Sequence, residues 1–291
     1  RGIRRDSPPL PYCPCIDWRS FQDTGVEESS FAKGNYGGGY PATYCAPSYI
    51  ATENIPAHGS NLGNSRGIGE YNKPMDQFLT ITAVSGWALP RQWFAEEVAT
   101  AFPGSQIEVI YPETPEKPEE AEKLLRQYPA DLYIGYSLGS LWLLKYKNLL
   151  PYSSVKALLA PILSFLVKDG MGGTTSETQL KYLARTLQQN PDKSLKDFFS
   201  YSDLPFPEKM IEDVPDKEIL LRGLDFLKTC RANGGDTKTF LSIVGENDIF
   251  IDGDLLKRHI PNLDIVQGVG HAPGNLLKRL AGRLNWKTHN L

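Results

Sequence analysis

Cysteine is scarce in this chain, and four in 291 residues are too few for a disulfide scaffold. Three of them, Cys13, Cys15 and Cys45, lie near the start. Cys13-Pro14-Cys15 is C-x-C, and even with His58 added the spacing matches no zinc pattern. Neither a metal nor any other cofactor is expected. Charge of one sign is also lacking, since the net is −3. That gives no electrostatic footprint for a nucleic-acid partner. No apolar run approaches the ~20 residues that a membrane span needs. Arg1, Arg4 and Arg5 are followed by no apolar stretch, so no secretory signal is visible and a cytoplasmic location is expected. The chain opens on Arg1 rather than Met, as a trimmed chain or a fragment would. What remains is an ordinary globular balance, 41% hydrophobic and 22% charged, long enough for a sizeable core.

Residues 1–75 differ from the rest. Pro8-Pro9, Pro11, Pro14, Gly37-Gly38-Gly39-Tyr40-Pro41 and Gly67-Ile68-Gly69 interrupt them repeatedly, and no apolar period persists. An irregular or flexible extension is expected. It could wrap the domain surface through Tyr36, Tyr40, Tyr44 and Tyr49, or be a leader or non-native extension.

Order begins near Phe78. Phe78–Val84 is apolar and β-branched, a buried strand. Pro90–Ala101 has helical spacing, Ile107–Ile110 is a short strand, and Glu119–Tyr128 is a helix. Ala130–Ile134 is the next strand, Leu138–Leu150 a helix stopped by Pro151, and Val155–Leu159 another strand. This alternation predicts a mostly parallel sheet with helices on both faces. From about Phe165 to Cys230 the pattern is helical and no convincing strand occurs. Alternation resumes with Phe240–Val244 and Leu263–Val266, and a helix from about Asn275 to Trp286 closes the chain. The expected division is a core over 76–164 and 231–291, with a helical cap over 165–230.

Gly135-Tyr136-Ser137-Leu138-Gly139 lies between a predicted strand and a predicted helix. In that context G-x-S-x-G reads as a nucleophile elbow, a tight turn that holds a serine hydroxyl above the sheet. Two further strand ends carry Asp248, in Gly245-Glu246-Asn247-Asp248, and His271, in Gly270-His271-Ala272-Pro273. Ligands in such sheets bind outside the carboxyl ends of the strands. A serine hydroxyl is a weak nucleophile until a histidine takes its proton, and a carboxylate orients that histidine. The chain order Ser, Asp, His is that of an α/β-hydrolase triad. Among four histidines, His259 lies in a charged helical run, His58 in the irregular N-terminal part and His289 near the end. Asp252, Asp254 and Glu246 are the rival acids. An oxyanion hole needs two N–H donors. Leu138 follows the nucleophile, and Trp87 lies in the loop after the first strand.

Together these motifs, over about residues 78–287, resemble the α/β-hydrolase superfamily, and most closely the BioH-type carboxylesterases of biotin synthesis. The elbow G-Y-S-L-G is similar to that group's G-W-S-L-G, with Tyr136 in place of Trp. Its first loop, H-G-W-G, has Ser85 for His and Ala88 for the second Gly. Tyr111-Pro112-Glu113-Thr114 replaces the group's D-x-x-G-x-G-x-S stretch, and residues 1–75 offer no pair of preceding strands. The resemblance implies a triad of Ser137, Asp248 and His271, oxyanion donors on Trp87 and Leu138, and a helical cap. It also implies the methyl ester of pimeloyl-acyl carrier protein as substrate.

A small ester is thus the expected substrate, contacted by Trp87, Tyr136, Phe165 and Phe199, with a cap whose Leu166, Phe198, Phe206 and Met210 could also line an acyl tunnel or form the cap's own core. An acyl carrier protein, being acidic, would call on Lys181, Arg185, Lys193, Lys196, Arg222 and Arg231, although interleaved acids make an ordinary soluble face of the same residues. The expected activity is a serine carboxylester hydrolase working through an acyl-enzyme. The alternatives are a thioesterase or other acyl hydrolase and, from another class, a non-catalytic binding protein on the same fold.

Overall fold

The computed structural model describes residues 79–204 and 212–286. Expectations placed on residues 1–75, and on Phe206, Met210 and His289, lie outside the described residues. Six five- or three-residue strands carry the core. They are β1 (Thr80–Val84), β2 (Gln106–Ile110), β3 (Leu132–Tyr136), β4 (Val155–Leu159), β5 (Leu241–Gly245) and β6 (Asp264–Val266). Their spatial order is β2-β1-β3-β4-β5-β6, and every pairing is parallel. β3 is buried at all five positions, and β1, β4 and β5 at four of five. These are the near-continuous apolar runs of a sheet covered on both faces. The edge strands β2 and β6 are more exposed.

The chain runs outward from β1 to β2 and then crosses back to β3 on the other side of β1. The order of the sheet therefore reverses between β1 and β3, and doubly wound sheets bind their ligands beyond the carboxyl ends of the strands at such a point. Val84 pairs with Gly135 there, and Tyr136 pairs with Leu159 of β4. The loops that follow Val84 and Tyr136 thus start side by side.

Helices α1 (Arg91–Ala101) and α8 (Pro273–Arg283) pack on each other. Helix α3 (Leu138–Lys145) packs on β1 and β3, and its first seven residues are all buried. A helix apolar all round belongs inside a protein. The side of each helix follows from β3. A Cβ at Gly135 would meet the backbone of Gly139 and Ser140 in α3, whereas the Tyr136 ring lies 5.5 Å from Phe94 of α1. Neighbouring strand residues point to opposite faces, so α3 and α1 cover opposite faces. Helix α2 (Pro118–Gln127) packs on the 3-10 turn Lys147–Leu149 that follows α3.

Several boundaries differ from the sequence reading. β3 extends two residues beyond Ile134 because Gly135 and Tyr136 still pair with Leu158 and Leu159. α3 stops at Lys145, and the predicted stretch to Leu150 becomes the 3-10 turn. α8 starts with Pro273 in its first turn, where the missing N–H costs nothing, and ends at Arg283 rather than Trp286.

Among the described residues three α-helices lie between β4 and β5: α4 (Glu177–Gln189), α5 (Pro191–Tyr201) and α6 (Lys217–Thr229). Ser176 and Gln179 form a capping box that starts α4. The helical pattern expected from Phe165 begins only at Glu177. Before it the chain makes a short 3-10 turn, Val167–Asp169, and passes through Gly170 and Gly172 at φ 62° and 95°. The two crossings between cap and core are tied together. Ala232 N–H donates to Leu163 O at 2.8 Å, and Arg231 Nε lies 2.5 Å from Asp169 Oδ2. Helix α7 (Gly253–Lys257) follows β5.

Candidate active site

Ser137 stands between the last residue of β3 and the first of α3, at φ 53° and ψ −115°. That is left-handed backbone, which an L-residue adopts only where its surroundings enforce it. The glycines on either side supply the room. A Cβ on Gly135 would come within 2.6 Å of Gly139 O, and one on Gly139 within 2.2 Å of Val84 O. Ser137 N–H is held by Leu159 O at 2.9 Å. The hydroxyl is thus fixed by the packing of three backbones, two strands and a helix.

His271 arrives from the loop between β6 and α8, and Asp248 from the loop after β5. His271 Nε2 lies 3.2 Å from Ser137 Oγ, and His271 Nδ1 lies 2.7 Å from Asp248 Oδ2. Asp248 Oδ1 accepts the Phe250 N–H at 2.9 Å, so both carboxylate oxygens are engaged. Ser137, Asp248 and His271 are 8%, 7% and 4% exposed. Three side chains from distant parts of the sequence therefore form one continuous hydrogen-bonded line at the switch point of the sheet.

The rivals are occupied elsewhere. Asp252 caps α7 by accepting the Leu255 N–H, Asp254 is exposed, and Glu246 accepts the Gly268 N–H. His259 is not on a helical face: it follows α7, half-buried, with Nε2 3.0 Å from Gly170 O. Of the cysteines only Cys230 is described, and among the described residues no cluster of His, Cys, Asp and Glu is disposed to hold a metal ion.

Trp87 follows β1 and Leu138 opens α3. Their backbone N–H groups have no acceptor among the described residues. For Leu138 this is inherent in the first turn of a helix, whose dipole end also favours negative charge. Trp87 lies in a turn where Leu89 N–H donates to Gly86 O at 3.3 Å. The next residue, Ala88, has φ 60° and donates its N–H to the Tyr111 hydroxyl at 3.5 Å. Ala88, noted above as replacing a glycine, thus occupies a backbone conformation that favours glycine.

The four predicted substrate contacts are placed differently from one another. The Trp87 ring meets Phe198 edge-on, centroids 4.6 Å apart, and its Nε1–H donates to Leu220 O at 2.9 Å. Phe165 lies 5.9 Å from Phe250, and Phe199 lies 5.6 Å from Phe198. Tyr136 is 1% exposed, and its hydroxyl donates to His271 O. That makes it a support for the histidine loop. Sequence reasoning missed Phe250. Its ring packs against the His271 ring at 4.8 Å, stacks on Phe198 at 5.8 Å and joins Tyr201 at 5.9 Å. The only local signal was its position two residues after Asp248.

No family model and no curated protein matches the chain. Solved structures do. A protein from Burkholderia cenocepacia described as an aryl esterase is 10% identical, with a TM-score of 0.51 over 72% of this chain and 90% of that one. The bottromycin epimerase BotH is 16% identical, with a TM-score of 0.50 over 72% and 91%. An alpha/beta hydrolase from Sphaerobacter thermophilus is 15% identical, with a TM-score of 0.46 over 71% and 92%. At these identities the first two likenesses, with TM-scores of 0.51 and 0.50, establish the fold alone, and an epimerase as one of them illustrates why. The chain has the α/β-hydrolase fold, with a helical insertion between β4 and β5.

Proposed function

We propose that the chain is a serine hydrolase that cleaves a small carboxylic ester through an acyl-enzyme. The observation that carries this reading is the line Asp248–His271–Ser137, with contacts of 2.7 and 3.2 Å. A binding protein has no need of such an arrangement.

The geometry fits the following sequence. His271 Nε2 takes the Ser137 proton as Oγ attacks the ester carbonyl. The carbonyl oxygen becomes an oxyanion and accepts from the N–H groups of Trp87 and Leu138. Asp248 holds Nδ1–H and stabilises the imidazolium. The tetrahedral intermediate collapses, the ester C–O bond breaks, and His271 gives its proton to the leaving alcohol. Water, deprotonated by His271, then attacks the acyl-enzyme, and release of the acid restores Ser137. Low-dielectric surroundings strengthen each of these interactions.

A thioester would pass through the same steps with a thiol leaving. The methyl ester of pimeloyl-acyl carrier protein remains an expectation from the motif resemblance. Of the six basic residues considered for an acidic carrier, Lys181 pairs with Glu177, Arg231 with Asp169, and Arg222 donates to Glu113 O. Internal partners thus engage three of the six, and a free small ester is the reading we favour.

The test is labelling by a fluorophosphonate together with turnover of p-nitrophenyl butyrate. Labelling at Ser137 that blocks turnover is expected, and Ser137→Ala should lose both with its fold intact. Turnover that survives in Ser137→Ala would overturn the assignment. Rescue of a biotin-requiring strain that lacks its pimeloyl methyl esterase would decide the finer substrate, and failure beside good butyrate turnover would favour a general esterase.

A further inference from the structure

The two proposed oxyanion donors share a neighbour in the cap. Trp87 Nε1–H donates to Leu220 O, in α6, at 2.9 Å. One turn further along α6, Gly223 faces both residues. A Cβ at that position would stand 2.9 Å from Trp87 Cδ1 and 3.3 Å from Leu138 Cδ1. Gly223 has no positive φ that would call for glycine. Glycine inside a helix is disfavoured relative to alanine. The close approach of α6 to Trp87 and Leu138 is the feature that requires it. Helix α5 adds the edge contact of Phe198 on the Trp87 ring.

The loop that carries Trp87 is tied to the core on both sides of that residue. At its start Ser85 N–H donates to Ile110 O at 3.0 Å and Ser85 Oγ lies 3.4 Å from Leu89 O; further on, its ties are the Gly86–Leu89 turn and a 3.5 Å bond from Ala88 to Tyr111. Trp87 itself donates its backbone N–H to no described residue, so the direction of that N–H also depends on where its indole is anchored, and the anchor is the cap.

We propose that α6 positions the oxyanion hole, through the Trp87 Nε1–H to Leu220 O bond and the close seat of Gly223 on Trp87 and Leu138. The cap then does more than cover the site, because its seating sets how well the negative charge of the intermediate is held. This rests on the serine hydrolase reading above. Trp87 has two separable parts, a backbone N–H that touches the substrate and an indole that positions that N–H. Gly223 is a positioning residue.

Two single variants and their combination test this. Trp87→Phe keeps an aromatic ring and removes the donor to Leu220 O. Gly223→Ala places a methyl against both side chains. In each, kcat for p-nitrophenyl butyrate should fall about tenfold or more, as small misplacements in active sites do, while KM changes less than about twofold. The inhibition constant of a trifluoromethyl ketone, which forms a tetrahedral adduct, should rise in step with the loss in kcat/KM. The double variant should lose less than the product of the single losses, because both act on one side chain. If Trp87→Phe fails to fold, Gly223→Ala decides alone. A raised KM at unchanged kcat would show that α6 only binds substrate and would overturn the proposal. So would wild-type rates in folded variants of an enzyme that is itself labelled at Ser137. A wild-type protein that neither labels nor turns over would instead remove the hydrolase reading, and this inference with it.

Discussion

The Tyr136 hydroxyl donates to the backbone carbonyl oxygen of His271 at 2.8 Å, with the two rings 5.2 Å apart. The residue just before Ser137 therefore anchors the backbone of the histidine that faces the Ser137 hydroxyl. Gly86 makes room, since a Cβ there would lie 2.7 Å from the Tyr136 ring. Burial, and secondarily the charge of Asp248, pushes the Tyr136 hydroxyl well above its ordinary range. It remains a donor at any working pH.

Tyr136→Phe leaves His271 O buried without that donor. Such a loss costs about 1–3 kcal/mol. Urea denaturation should show it, accompanied by a lower kcat as the His271 loop loosens. Wild-type stability and rate together would show that the bond holds nothing in place.

Asp248→Asn tests the orientation of the imidazole. Asn can still accept the Phe250 N–H through its oxygen, which turns its NH2 toward His271 Nδ1. The imidazole must then carry its proton on Nε2, facing Ser137 Oγ, where it cannot act as a base. Loss of about 10⁴ in kcat is expected, as for the same exchange in serine proteases. A loss below tenfold would mean that Asp248 does not orient the base.

Ala88 lies at φ 60° with no exposed surface. Left-handed backbone costs a non-glycine residue about 1–2 kcal/mol. Ala88→Gly removes that strain but also a buried methyl worth about 0.8 kcal/mol, along with some unfolded-state restriction. Its stability should stay within about 1 kcal/mol of wild type. Ala88→Val should fall by well over 2 kcal/mol, because a β-branched residue at this φ is an outlier. Chemical denaturation of the pair reads the difference, and equal stabilities would contradict the strain.

Gly139→Ala addresses the elbow. Its methyl would press on the backbone carbonyl of Val84, which no side-chain rotation can relieve. We expect a loss of at least about 3 kcal/mol, the upper end for overpacking, seen as a sharply lowered melting temperature. A stable, active Gly139→Ala protein would mean that β1 and α3 can separate at little cost.

Glu177 couples the start of α4 to the turn before it. Hydrogen bonds from Lys168 first and Lys181 second, with their charges, lower its carboxyl from 4.5 to about 2. A depressed carboxylate contributes stability above its unfolded value, and this is lost as pH falls through the folded value. Acidification between about pH 4.5 and about pH 2 should therefore weaken wild type more than Glu177→Gln. Identical acid profiles for the two proteins would show that the pairs are screened away at this exposed site.

Much of this was legible locally. The strand–elbow–helix pattern around Ser137 needed only neighbouring residues, because glycines, an apolar run and a serine at fixed spacing leave the backbone few options. Asp248 and His271 could be read because a parallel sheet gathers its strand ends along one edge. The extent of β3 could not, since Gly135 and Tyr136 are strand only by pairing with Leu158 and Leu159. Nor could the inward turn of Tyr136, the seat of Phe250 on His271 or the approach of Gly223 to Trp87 and Leu138. Each of the latter joins residues from separate elements, and no local period or propensity encodes which will meet. The sequence determined which chemistry-bearing residues stand at the ends of strands. Only the tertiary structure decided what holds them in place, because that depends on close packing between elements that approach one another only once the chain has folded.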